Sequence, residues 1–90
     1  LHMMQMKYVV VQSEKHGKQL FVFPIDIDHD RFAEVLSYIK TGHQNWSRDY
    51  REPVSAGFTD GIKCFGESTT LKLKSHPEDT DLLLMGGHSV

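Results

Sequence analysis

Ninety residues, 39% hydrophobic and 24% charged, with a formal net charge of −2, describe one ordinary globular domain with no room for a second. The ten Lys and Arg residues are spread along the chain, which argues against a phosphate-binding face and so against nucleic acid as a partner. The single cysteine, Cys64, excludes an intrachain disulfide and suits a reducing compartment. No apolar run approaches the roughly 18 residues of a membrane span, and the basic-then-apolar order of an export signal is missing. The opening Leu1-His2-Met3 reads as a cloning remnant, so residues 1–5 are set aside, a single domain is expected over 6–86 and a tail over 87–90.

Met6 to Gln12 and Lys18 to Phe23 are β-branched and aromatic runs separated by Glu14-Lys15-His16-Gly17. Gly17 can take a positive φ at little steric cost, so the two runs predict an antiparallel hairpin, and Pro24, without an N–H to donate, ends it. Phe32, Val35, Leu36 and Ile39 follow i, i+3, i+4, i+7 and predict a helix from an Asp28 N-cap to Thr41. Ile27 and Phe32 would staple its start, Asp30 would suit the positive end of its dipole, Lys40 its last turn and Gly42 its left-handed C′ position. Residues 43–52 are polar and aperiodic and are expected to form a loop.

Val54 to Thr59, Asp60-Gly61 and Ile62 to Glu67 predict a second hairpin closed by a two-residue type I′ turn. Counting outward pairs Phe58 with Lys63 and Ala56 with Phe65, and leaves Ser55, Gly57, Cys64 and Gly66 as a small-residue face on which the helix is expected to lie. Thr70 to Lys74 alternates like a short lysine-guarded edge strand. Ser75-His76-Pro77-Glu78 matches a capping box and starts a short helix that stops at Gly86-Gly87. Leu82, Leu83 and Leu84 cannot all share one helix face, so at least one is expected to touch a partner or a second copy. The expected class is therefore α+β: two hairpins in one antiparallel or mixed sheet, the main helix across one face and a short C-terminal helix.

The segments Val54-Ser-Ala-Gly-Phe58, Cys64-Phe-Gly-Glu-Ser68 and Leu71-Lys-Leu-Lys-Ser-His-Pro-Glu-Asp79 resemble a small family of uncharacterised proteins of tailed bacteriophages and prophages. The resemblance covers roughly the C-terminal half. It implies an origin and a bacterial host cytoplasm, with virion association left open, and brings no catalytic residue, cofactor or named partner.

Two groups of residues are candidate sites. Trp46, Arg48, Tyr50 and Arg51 have the composition of a protein-contact hot spot, since large aromatics bury area at low entropy cost and Arg adds planar hydrogen bonding. Cys64, Glu67 and Ser68, around Gly66, could hold a small polar ligand, although a buried structural cysteine and a strand exit explain the same residues. Histidines 2, 16, 29, 43, 76 and 88 lack zinc spacing and are expected in exposed loops and caps, and Asp26, Asp28 and Asp30 are expected to cap the helix without binding calcium. No metal or cofactor is expected. The resulting expectation is a non-catalytic protein-binding module, an accessory protein that also pairs with itself; the alternative is a small-molecule-binding protein or enzyme using Cys64, Glu67 and Ser68.

Overall fold

The computed structural model describes residues 5–14, 16–40, 46–48 and 51–89. Strands β1 (Met6–Ser13) and β2 (Gly17–Phe23) form the expected hairpin, paired from Lys7 with Phe23 to Ser13 with Gly17. Gly17 has φ +67°, the left-handed backbone that its lack of a Cβ permits. Helix α1 (His29–Leu36) and the short strands β3 (Tyr38–Lys40) and β4 (Trp46–Arg48) follow. Then come β5 (Glu52–Thr59), β6 (Cys64–Phe65), β7 (Glu67–Ser68), β8 (Leu73–Lys74), helix α2 (Asp79–Leu84) and β9 (His88–Ser89). The main sheet has the order β6-β5-β1-β2-β9, antiparallel except where β9 runs parallel to β2; β3–β4 and β7–β8 are separate antiparallel pairs. The class is α+β, as the sequence indicates.

Strand β1 is central and buried on both faces, which is why three consecutive valines suit it. Val9 and Val11 join Phe23, Phe32 and Ala56 on the α1 side, with Phe21, Leu36, Leu71 and Leu73 packed around them. Phe23 and Phe32 stack with ring centroids 4.2 Å apart. Tyr8 and Val10 join Leu20 and Val22 on the other side, beneath Leu82 and Leu83 of α2 and beside Cys64. Each fully buried side chain of this size contributes roughly 1.5–3 kcal/mol relative to exposure, so both layers are needed in a chain this short.

Several local expectations are corrected. Helix α1 ends at Leu36, not Thr41, because the Ser37 hydroxyl donates to the Glu34 carbonyl at 2.6 Å and the next residues, Tyr38 and Ile39, are strand formers paired with β4. Lys40 therefore lies in β3 and not in a last helical turn, while Gly42 falls outside the described residues. The buried stripe is His29, Phe32 and Ala33 with Leu36 half-buried, so it shares Phe32 and Leu36 with the expected one, while Val35 is 66% exposed. Asp28 holds the N-cap position with extended backbone, but its side chain makes no capping bond. The 43–52 stretch is not a plain loop, since Trp46–Arg48 forms β4 and β5 begins at Glu52. Pro53 is accommodated in β5 because the β1–β5 register shifts between Val10 and Val11, a bulge that leaves Val54 without a counterpart.

The second hairpin forms, but with Phe58 opposite Phe65 and Thr59 opposite Cys64, two residues away from the type I′ register. Side chains close its longer loop. Asp60 Oδ1 accepts from the N–H groups of Ile62 and Lys63 at 2.8 and 3.0 Å, and Thr59 Oγ1 accepts from Gly61 N–H and donates to the Lys63 carbonyl. A shift of two leaves every side chain on its expected face. Gly66, at φ +80°, then ends β6. The small residues Ser55 and Gly57 lie on the side covered by α2, not α1, and the bulky group that fills the space is Tyr8. Residues 69–72 form a turn with Lys72 at φ +57°, so only Leu73 and Lys74 of the expected edge strand pair, with β7. The segment beyond residue 86 is not merely a tail, because His88 and Ser89 return to β2.

Candidate functional site

A buried polar cluster lies where α2 meets the sheet. Asp79 is 1% exposed, and its carboxylate accepts from the Tyr8 hydroxyl at 2.6 Å, the His76 N–H at 2.9 Å and the Ser55 hydroxyl at 3.0 Å. The helix-start pattern around Ser75 is thus present in altered form: the acid that reaches back to an upstream N–H is Asp79, bonding His76, while Glu78 turns outward to Lys18 at 2.6 Å. Burial, followed by the hydrogen bond to Asp79, pushes the Tyr8 phenol well above its ordinary range, so it stays a neutral donor. Burial and then the negative charge of Asp79 push the Cys64 thiol up to about 11. The Cys64 N–H also donates to Thr80 Oγ1 at 3.0 Å, tying β6 to α2. This arrangement holds a carboxylate by three donors and leaves the thiol protonated at neutral pH, which is structural chemistry and not that of an activated nucleophile.

A second cluster lies at the start of α1. His29 is 3% exposed, in contrast to the exposed position expected for the histidines, and its Nε2 lies 2.8 Å from the Gly57 carbonyl. A carbonyl only accepts, so Nε2 carries the hydrogen. Burial lowers the pKa of His29, against the upward pull of that hydrogen bond, and Lys7 adds to the lowering. The ring meets Phe23 and Phe58 edge-on, at centroid distances of 5.4 and 5.7 Å. Beside it opens a small cleft of about 150 Å³, whose lining includes Lys7, Asp28, Glu67 and Thr70. Lys7 already donates to the Ile27 carbonyl at 2.9 Å and sits 4.0 Å from Asp28.

The sequence candidates are distributed differently from expectation. Trp46 and Arg48 belong to β4, Tyr50 lies outside the described residues, and Arg51 precedes β5 and is half-buried. Cys64, Glu67 and Ser68 occupy different surroundings: Cys64 packs in the layer under α2, while Glu67 is exposed and lines the His29 cleft. Ser68 is buried, its hydroxyl accepting from Leu71 N–H at 3.1 Å and lying 3.3 Å from Thr70 Oγ1. His29 and Asp79 were not singled out as site residues by the sequence. The helical stripe through Phe32 and Leu36 could have found His29, and the acidic residue after Pro77 could have found Asp79.

Ligand atoms of His76, Glu78 and Asp79 lie within 4.8 Å of one another. Three hydrogen bonds already engage the Asp79 carboxylate, and the Lys18 ammonium already neutralises Glu78, so a divalent cation would have to displace a resident cation. Apolar surface is more accessible: Leu84, the last residue of α2, is 64% exposed and Met85, its C-cap, 85% exposed. Among the described residues no helix is long and apolar enough to cross a membrane. Comparison with protein-family models, with curated proteins and with solved structures finds no match to this chain.

Proposed function

We propose that this protein is a non-catalytic protein-binding module, an accessory protein of phage or prophage origin that works in the cytoplasm of a bacterial host. The observation that carries the binding role is the adjacent exposure of Leu84 and Met85, where α2 stops at Gly86 and Gly87. Exposed apolar side chains at a helix end gain free energy by being covered, and Met adapts its shape to a partner. Several of the described residues capable of acid–base or nucleophilic work are engaged instead: Tyr8, Ser55 and Asp79 with one another, His29 with a backbone carbonyl, and Cys64 in the layer under α2. The origin rests on the sequence resemblance alone. Trp46, Arg48, Tyr50 and Arg51 are proposed as a further contact surface.

The test is capture of partners from host lysate on immobilised protein, comparing the wild type with Leu84→Glu/Met85→Glu and with Trp46→Ala/Tyr50→Ala. A protein recovered by the wild type and lost from one variant supports the reading, whereas equal recovery by all three removes both surfaces. A second reading, binding of a small polar molecule, is favoured by one observation, the cleft beside His29 that Glu67 lines. It predicts a ligand-induced rise in melting temperature that Glu67→Gln abolishes.

A further inference from the structure

The two sides of β2 are used unequally. On one side all seven residues pair with β1; on the other, β9 pairs with Phe21 and Val22 alone, and among the described residues no further strand lies beyond. A strand edge carries N–H and C=O groups that seek ladder partners, and an incompletely covered edge is a template for an added strand. The resident strand is minimal. It has two residues and follows two glycines, the first at φ +130°. Its contacts nevertheless define what fits: the His88 imidazole stacks on Phe21 at 4.9 Å and 24°, and a Cβ on Gly87 would lie 3.1 Å from Leu20 Cδ2.

We propose that the outer edge of β2 is a strand-addition site for an extended segment of a partner protein, which runs parallel to β2 and displaces β9. The inference rests on the protein-binding reading and assigns it a surface. The segment carries a flat ring opposite Phe21, as β9 does, and glycine at the preceding position, where a Cβ would press on Leu20 Cδ2 at 3.1 Å. An acidic residue two positions before that glycine faces Lys18, whose ammonium now bonds Glu78. Pairing along all of β2 replaces two ladder positions with as many as seven, so β9 acts as a removable cover that sets the threshold for binding.

The probe is a fluorescein-labelled peptide, SETGFVT, whose glycine and phenylalanine fall opposite Leu20 and Phe21, with SETGPVT as its unpaired control. Binding is read by anisotropy to the full chain, to the chain lacking residues 88–90, and to Gly87→Val, whose side chain crowds Leu20 and Leu83 to loosen β9 while keeping the chain whole. The expected result is affinity for SETGFVT at least tenfold higher for both altered chains than for the full chain. Amide hydrogen exchange then slows along residues 18–23, and SETGPVT binds none of the three. Equal affinity for all three chains, binding without protection of β2, or no binding to either altered chain overturns the proposal. Those outcomes leave the protein-binding reading intact if the lysate partner is still captured through Leu84 and Met85; loss of that capture alone defeats the reading without touching the peptide result.

Discussion

Replacing Tyr8 with Phe removes one oxygen and little else. The lost interaction is the 2.6 Å bond from the phenol to the buried Asp79 carboxylate, and hydrogen bonds to charged groups contribute about 1.5–3 kcal/mol. Asp79 keeps its bonds from Ser55 and the His76 N–H, so the carboxylate is not orphaned and the cost should be about 2 kcal/mol. A 90-residue domain has a total stability of roughly 5–13 kcal/mol, so this loss is large, lowering Tm by about 8–16 °C. Asp79→Ala is worse. It strands three donors, each costing about 1–3 kcal/mol when buried without a partner, and partial relaxation brings the expected sum to about 4 kcal/mol. Urea denaturation of both single variants and of the double variant closes a cycle, in which the coupling between Tyr8 and Asp79 should be about 1.5–3 kcal/mol at unchanged m-value. A Tyr8→Phe cost below about 0.5 kcal/mol, with coupling near zero, would refute the idea that this carboxylate anchors α2 to the sheet.

Three further outcomes are expected. Because the Cys64 thiol is pushed up to about 11, alkylation by iodoacetamide at pH 7.5 should be far slower in the folded chain than in urea; equal rates would contradict its placement beneath α2. The pKa of His29 is lowered, so the unfolded state binds the proton more readily, and the contribution is present above the ordinary value of about 6.5 and lost as pH falls below it. His29→Gln should flatten that acid limb of stability against pH, and the His29 ring resonance should titrate below 6.5 by NMR. Gly57→Ala should destabilise by about 2 kcal/mol or more in thermal melts, because the new Cβ would lie 2.4 Å from the Phe65 carbonyl oxygen, a backbone atom that cannot turn aside; a neutral effect would place β6 elsewhere.

What could be read in advance depended on how local the cause was. The first hairpin, the strand stop at Pro24 and the end of α2 before Gly86 rest on glycine and proline backbone limits, which act within a few residues and are visible in the sequence. The second hairpin was located by Asp60-Gly61 but misregistered, because Thr59 and Asp60 close the turn with side-chain oxygens that compete with the two-residue geometry. The apolar spacing through Ile39 fits a helix running to Thr41, whereas pairing with Trp46–Arg48 makes Tyr38–Lys40 a strand. Asp79 follows the capping-box pattern as an acid in a first helical turn, and nothing local marks it for burial. Its burial is decided by Tyr8 and Ser55, which no local pattern connects to it. For the same reason Cys64, Glu67 and Ser68 looked like one site, although the break at Gly66 sends them to different surroundings.

The central strand also has a kinetic consequence. Its pairing with β2 closes over a turn of a few residues, but its other neighbour arrives from about fifty residues further along, Tyr8 meeting Gly57 and Val9 meeting Ala56. Short-range closure is quick and long-range closure slow, so the nascent hairpin should form first and wait with a row of valines uncovered. During that interval the chain is most exposed to sticking to its neighbours, so refolding yield should fall with protein concentration even though the finished fold buries those same valines completely.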